Sequence, residues 1–171
     1  MRVAIAAPRG KYAGRVLREA GVTMLRKLHL RGELSVALLT DSAIRRLNRE
    51  WRRMDRPTDV LSFPQEGEGG AGARVLGDVA ISLDTARRQA REGGWTLVAE
   101  LRRLLAHGLL HCLGHDHELS SQARRMAAAE RRLLGREGMV GAAEARKLPL
   151  PPARARKRRL PPSSGGSRKR R

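Results

Sequence analysis

The stretch LVAELRRLLAHGLLHCLGHDH, residues 97–117, predicts an apolar helix that ends in a cluster of histidines. Thr96 can accept hydrogen bonds from the first free amides of this helix, and Gly114 can end it in the left-handed conformation. We therefore expect a helix that carries His107 and His111 near its carboxyl end. Its apolar residues recur at helical spacing, at Leu97, Leu101, Leu104 and Leu105.

Short strands and helices precede this segment, and one more helix follows it. Strand patterns occupy residues 2–8, 33–39, 60–63 and 76–82. Helical spacing marks residues 11–28, 41–52, 83–91 and 119–134. The resulting order does not alternate regularly, so the sequence predicts an α+β fold rather than a repeating βα fold. We expect a small four-stranded mixed sheet packed with four or five helices in a single domain.

Two interruptions should shape the strand region. Pro64 is expected to stop the third strand, because proline lacks the amide that a strand needs. Residues 65–74, QEGEGGAGAR, are glycine-rich and polar, and they are expected to form a mobile loop.

Composition narrows the classes of function. A chain of 171 residues with 40% hydrophobic content can fill one core. Its single cysteine, Cys112, excludes an internal disulfide and suits a reducing cytoplasm. The first apolar run is too short for a signal peptide, and no run approaches the roughly 18 residues of a membrane span. We therefore expect a cytoplasmic protein with no membrane partner.

Positive charge is concentrated at the carboxyl end. Residues 146–171 hold 11 of the 36 basic residues and none of the 17 acidic ones, so they carry +11 of the net +19. This proline- and arginine-rich segment cannot bury apolar surface, and we expect a disordered basic tail behind one domain of residues 1–145. The charge favours nucleic acid as a partner. A tail that is merely solvated, with arginines that reflect genomic base bias, is the alternative.

The histidines predict a metal site. On a helix, residues four apart share a face, so His107 and His111 can point at one ion. A turn at Gly114 would let His117 approach as a third ligand. Three imidazoles leave one tetrahedral position open, as in catalytic rather than structural zinc sites. The alternative is a helix end with solvent-exposed histidines, which the full spacing with its glycine makes the weaker interpretation.

The neighbours of these ligands have less specific roles. Cys112 lies about 100° around the helix from His111, which favours a small buried thiol. His115 is either a substrate contact or a bystander. Asp116 either fixes the tautomer of a ligand or caps the following helix.

A metalloprotease is the first rival function, since metzincins share this histidine spacing in H-E-x-x-H-x-x-G-x-x-H. Their glutamate takes a proton from the metal-bound water. Gly108 stands at that position here and cannot do so. The sequence therefore disfavours proteolysis.

Three blocks of sequence resemble the YbeY family of rRNA maturation factors. HGLLHCLGHDH at 107–117 resembles its histidine signature, with Cys112 in place of the usual leucine. LNREWRRMDRPTDVLSFP at 47–64 and LGDVAIS at 76–82 resemble two further family motifs. Three ordered blocks at compatible spacing make the resemblance specific, and it leaves out the tail after about residue 148.

The resemblance implies a single-strand-specific endoribonuclease that acts in 16S rRNA 3′-end maturation and ribosome quality control. It implies one Zn²⁺ held by His107, His111 and His117, and an arginine important for activity, which is Arg52 here. His107 and Arg52 are the residues we expect to be catalytic. The implied partners are single-stranded rRNA and the small ribosomal subunit with its assembly factors, and no DNA role is expected.

A rival of another class is a noncatalytic assembly factor, in which the metal only braces the helix end. The basic surface of the protein would then dock on the small ribosomal subunit. For Arg52 the alternative to a catalytic role is that Arg49, Arg52, Arg53 and Arg56 form an exposed basic helix end that only positions RNA. Three ligands rather than four favour the enzyme. The sequence shows no general base, so the nucleophile stays open between water and the ribose 2′-hydroxyl.

Overall fold

A mixed four-stranded sheet lies at the centre of the computed structural model, which describes residues 2–8, 10–65, 74–115 and 119–135. In chain order the elements are β1 (Arg2–Ala6), α1 (Lys11–Lys27), β2 (Glu33–Leu39), α2 (Asp41–Arg52), β3 (Val60–Pro64), β4 (Val75–Ser82), α3 (Leu83–Gly93), α4 (Leu97–Cys112) and α5 (Ser120–Leu134). The predicted order and the α+β fold class are confirmed, with element ends that differ by a few residues at most. The predicted tail, residues 146–171, lies outside the described residues.

The strands lie in the order β1-β2-β4-β3. β1 and β2 are parallel, as are β2 and β4, whereas β3 pairs antiparallel with β4. β3 is therefore an edge strand, and this placement corrects one expectation. Pro64 is the last residue of β3 rather than a residue beyond it, because an edge strand tolerates a missing amide. Most of the predicted loop, residues 66–73, lies outside the described residues.

The sheet buries both of its faces. One face packs with α1 and α4 in the main core, to which Val36, Val79 and Ile81 contribute from the strands. The other face is covered by α2, where Ile44 packs with Leu61 and Ala80. Successive residues of β3 consequently point towards different helices, and this edge strand lies between α2 and α4.

Three predicted helix starts carry side-chain caps. Thr40, Ser82 and Thr96 each accept a hydrogen bond from the backbone amide three residues later, at 3.3, 3.1 and 3.1 Å. At the other end of α4, Gly114 has a φ of 85°, which only glycine adopts without strain. The helix therefore stops just beyond the histidine pair, as the sequence predicted.

Within the described residues, no helix is long and apolar enough to cross a lipid bilayer. α4, the most apolar helix, is instead buried by its contacts with the sheet and with α1, α3 and α5.

Candidate functional site

Two histidines meet on the last turns of α4. The Nε2 atoms of His107 and His111 are 3.1 Å apart, and the two rings lie edge to face with centroids 4.7 Å apart. Both residues are half-buried. The structure thus brings two of the three predicted ligands together with their Nε2 atoms facing each other. His117 and Asp116 lie outside the described residues.

A carboxylate from another helix holds the first of these rings. Glu130 of α5 accepts a hydrogen bond from Nδ1 of His107 at 2.7 Å, and about a quarter of each side chain is exposed. Because Nδ1 carries the proton in this pair, Nε2 of His107 presents a lone pair towards His111. The packing of α5 positions this carboxylate, since Met126 and Leu133, on either side of Glu130 in the helix, are buried in the main core.

This pair of nitrogens fits a transition-metal ion. Two nitrogens that each lie about 2.0–2.1 Å from one tetrahedral ion are about 3.3 Å apart. The observed Nε2 separation of 3.1 Å is close to that value. In such sites the ligating imidazole usually donates its other ring N–H to a carboxylate, which fixes its orientation, as Glu130 does here for His107. The donor set therefore suits zinc, although the third ligand and the metal identity stay predictions.

Gly108 has a steric role that its sequence context alone did not reveal. A Cβ at this position would lie 2.6 Å from Cγ1 of Val79 and 3.2 Å from Oγ of Ser62. The glycine therefore lets α4 approach β3 and β4 closely. A glutamate in its place, as a metzincin requires, would force the helix away from the sheet, which adds a physical reason against the protease.

Cys112 faces the sheet, away from the ligand pair. Its side chain is buried, and burial raises the pKa of the thiol to about 11. A Cβ on Gly77 of β4 would lie only 2.8 Å from the sulfur of Cys112, and Gly77 has a φ of 140°. The interpretation of Cys112 as a buried structural thiol therefore agrees with the geometry.

Arg52 ends α2, and Arg53 follows it in the left-handed conformation with a φ of 57°. Neighbouring atoms desolvate the guanidinium and lower the pKa of Arg52, while the charge of Asp59 raises it. Arginine remains a cation at neutral pH in spite of such shifts. Among the described residues, no carboxylate lies within ion-pair distance of Arg52, so its donors are available to an anion.

A second arginine connects this region with the histidines. Arg103 lies one turn before His107 on the same face of α4, and it donates to both oxygens of the buried Glu100 at 3.0 and 2.5 Å. Burial lowers the pKa of Arg103, but the hydrogen bonds and charge of Glu100, with the charges of Asp59 and Glu130, raise it overall. The charge of Asp59 therefore raises the pKa of both Arg52 and Arg103.

Sequence reasoning missed Glu130, Asp59 and Arg103. Asp59 stands within the quoted block at 47–64, and Arg103 shares a helix face with His107 at a spacing of four. Those two signals could have identified them. No sequence pattern indicated Glu130, because its contact with His107 depends on how α5 packs against α4.

Comparison with known proteins gives one consistent family. A family model described as endoribonuclease YbeY matches residues 10–138. A protein of that description from Myxococcus xanthus is 55% identical over 141 residues, which are 81% of this chain and 48% of the relative. One from Anaeromyxobacter dehalogenans is 55% identical over 137 residues, 80% of this chain and 70% of the relative. The chain thus spans about half the length of the Myxococcus relative and 70% of the Anaeromyxobacter relative.

The fold also resembles a solved structure. A Thermotoga maritima protein determined in solution superposes with a TM-score of 0.55 at 26% identity. The match covers 83% of this chain and 95% of that one. It therefore includes most of the described residues.

Proposed function

The chain belongs to the YbeY family of endoribonucleases, and on that premise we propose that it cleaves single-stranded ribosomal RNA. The proposed task is the processing of the 3′ end of 16S rRNA, together with ribosome quality control. The observation that carries the proposal is the convergence of the Nε2 atoms of His107 and His111 at 3.1 Å with Glu130 behind His107. This arrangement suits a metal-dependent hydrolase better than a basic docking surface.

His107, His111 and His117 would hold one zinc ion. When bound there, zinc supplies Lewis acidity towards a phosphate oxygen or a water molecule. Glu130 would keep the proton of His107 on Nδ1 and so direct the lone pair of Nε2 towards the proposed ion. His107 is in this sense part of the catalytic machinery.

Arg52 would bind the scissile phosphate. Phosphodiester cleavage builds negative charge on the nonbridging oxygens, and a planar guanidinium can donate two hydrogen bonds to them. The charge of Asp59 partly offsets the lowering of the Arg52 pKa by desolvation, which favours the charged guanidinium. Arg103 is engaged by Glu100, and the charges of Asp59 and Glu130 also raise its pKa, so it stays a cation on the helix face that carries His107.

The proposed setting is the cytoplasm, with the small ribosomal subunit and its assembly factors as partners. The basic residues of the domain (1–145) and of the tail (146–171) would bind the phosphates of the RNA backbone, since counterion release gives affinity without sequence preference. No DNA substrate is proposed.

Substitution separates metal binding from cleavage. His111→Ala should lose bound metal by elemental analysis, whereas Arg52→Glu should keep the metal and lose cleavage of single-stranded RNA. Arg87→Glu, the same charge reversal at an exposed position of α3, is the matched control and should cleave normally. Purified protein that binds metal but never cleaves RNA would instead support the noncatalytic assembly factor. Full cleavage by Arg52→Glu would refute the role of this arginine.

A further inference from the structure

Trp51 is a large aromatic side chain that the fold leaves in contact with solvent. It is 59% exposed on the last turn of α2. The chain has two tryptophans, one tyrosine and one phenylalanine. The other tryptophan, Trp95, is half-buried and donates to Glu100 at 2.7 Å. Trp51 thus differs from Trp95 in having an indole surface available to a partner.

A neighbouring ring braces this indole. Phe63 of β3 packs edge to face against Trp51, with centroids 5.6 Å apart and an interplanar angle of 70°. Phe63 itself packs against the core beneath α2. The contact restricts the orientation of the exposed indole, so less conformational entropy is lost when a flat ligand stacks on it.

Three arginines follow the indole closely in the sequence. Arg52 follows it directly, and Arg53 and Arg56 lie just beyond the helix end. Glu50 directly precedes Trp51 and is exposed, whereas Asp55, four residues beyond the indole, is engaged by Arg45 at 2.9 and 2.8 Å. Within the part of the chain that the structure describes, no carboxylate pairs with Arg52, Arg53 or Arg56. An exposed ring beside such arginines matches a ligand that combines a flat base with a phosphate.

The indole is also connected to the histidine site through the edge strand. Phe63 follows Ser62, whose Oγ lies 3.2 Å from the position of a Cβ on Gly108. Gly108 is the neighbour of His107 in α4. Ser62 and Phe63 are consecutive in β3 and point to opposite faces of the sheet, so the indole and the histidine-bearing end of α4 lie on either side of β3, which is an edge strand among the described residues.

We propose that Trp51 is a base-stacking subsite for the single-stranded RNA substrate, placed beside the phosphate-binding Arg52. This inference rests on the proposed function. Aromatic stacking is the usual way in which proteins hold unpaired bases without reading their sequence. In a chain with few aromatics, one braced indole supplies that contact, and the arginines supply the contacts with phosphate.

Binding of intact and abasic oligonucleotides tests the proposal. The ligands are a single-stranded oligoribonucleotide of about 12 nucleotides and an abasic analogue with the same number of phosphates. Affinity is measured for the unchanged full chain and for Trp51→Ala, Trp51→Phe and Tyr12→Ala. Tyr12→Ala is the matched control, because Tyr12 is 60% exposed and has Arg15 over its ring at 5.6 Å, but lies at the start of α1.

Trp51→Ala should weaken binding of intact RNA by about 5- to 100-fold and leave abasic binding unchanged. Intact RNA should quench tryptophan fluorescence in the unchanged protein. Trp51→Phe should keep most of the affinity and lose the quenching, and Tyr12→Ala should behave as the unchanged protein does.

Equal affinity of Trp51→Ala and the unchanged protein for intact RNA overturns the subsite, and the indole then serves a protein partner or a second copy of the chain. That result leaves the proposed function standing if both proteins cleave RNA. Absence of both RNA binding and cleavage in the unchanged protein would instead defeat the proposed function, and the subsite with it.

Discussion

Replacing Glu130 should weaken metal binding without unfolding the protein. The carboxylate accepts the Nδ1 proton of His107 at 2.7 Å, and losing such support of a ligand typically costs 10- to 100-fold in metal affinity, or about 1.4–2.8 kcal/mol. About a quarter of each side chain is exposed, so water can replace part of the lost contact. We expect zinc affinity to fall about tenfold in Glu130→Gln, whose amide oxygen can still accept the hydrogen bond from His107. In Glu130→Ala the loss should be nearer 100-fold.

Calorimetric titration of metal-free protein with zinc measures these affinities. Imidazole nitrogen shifts in NMR spectra report whether the proton of His107 stays on Nδ1, which a purely structural role of Glu130 would not affect. Glu92→Gln is the control, since Glu92 is exposed on α3. Unchanged zinc affinity in Glu130→Ala would refute the reasoning, and so would an unchanged tautomer.

Gly108→Ala should lower the free energy of unfolding by about 1–3 kcal/mol in chemical denaturation, because its Cβ would lie 2.6 Å from Val79; stability equal to that of the unchanged protein would contradict the close approach of α4. The Cys112 thiol, with a pKa raised by burial to about 11, should resist alkylation at neutral pH and react only on unfolding or as the pH nears that value; rapid labelling of folded protein would show an accessible thiolate. RNA affinity should fall steeply with salt, with a log-log slope of about −0.7 per phosphate neutralised, and deleting residues 148–171 should make the slope shallower; an unchanged slope would leave this segment without an RNA role.

Local patterns in the sequence predicted much of the fold. The caps at Thr40 and Thr96 and the helix end near Gly114 depend on interactions within a few residues, so the sequence alone indicates them. The pairing of His107 and His111 was predictable for the same reason, because any helix places residues four apart on one face, whatever it packs against. The order of elements followed from such signals.

Features that depend on tertiary packing were not predictable in this way. Glu130 reaches His107 from 23 residues along the chain, and only the docking of α5 places it there. Gly108 could be read as the lack of a catalytic glutamate, but its closeness to Val79 became visible only with the sheet in position. Pro64 was expected to stop a strand, and the reason that it joins one is the edge position of β3.

The three blocks that suggested the family meet around α4. Ser62, from the first block, lies beside Gly108, and Gly77, from the second, lies beside Cys112. Gly108 and Cys112 belong to the third block and are the direct neighbours of His107 and His111. The spacing of these blocks in sequence therefore reflects the packing of α4, the helix that carries the histidine pair, against β3 and β4.

The central claim is that one metal ion bound by the histidine site makes this chain an endoribonuclease. Its most direct test is a titration of metal-free protein with zinc while the rate of single-stranded RNA cleavage is followed. Cleavage should be lost in the metal-free protein, rise with added zinc and level off at one equivalent per chain. Undiminished cleavage by the metal-free protein, or none at any zinc concentration, would contradict the account.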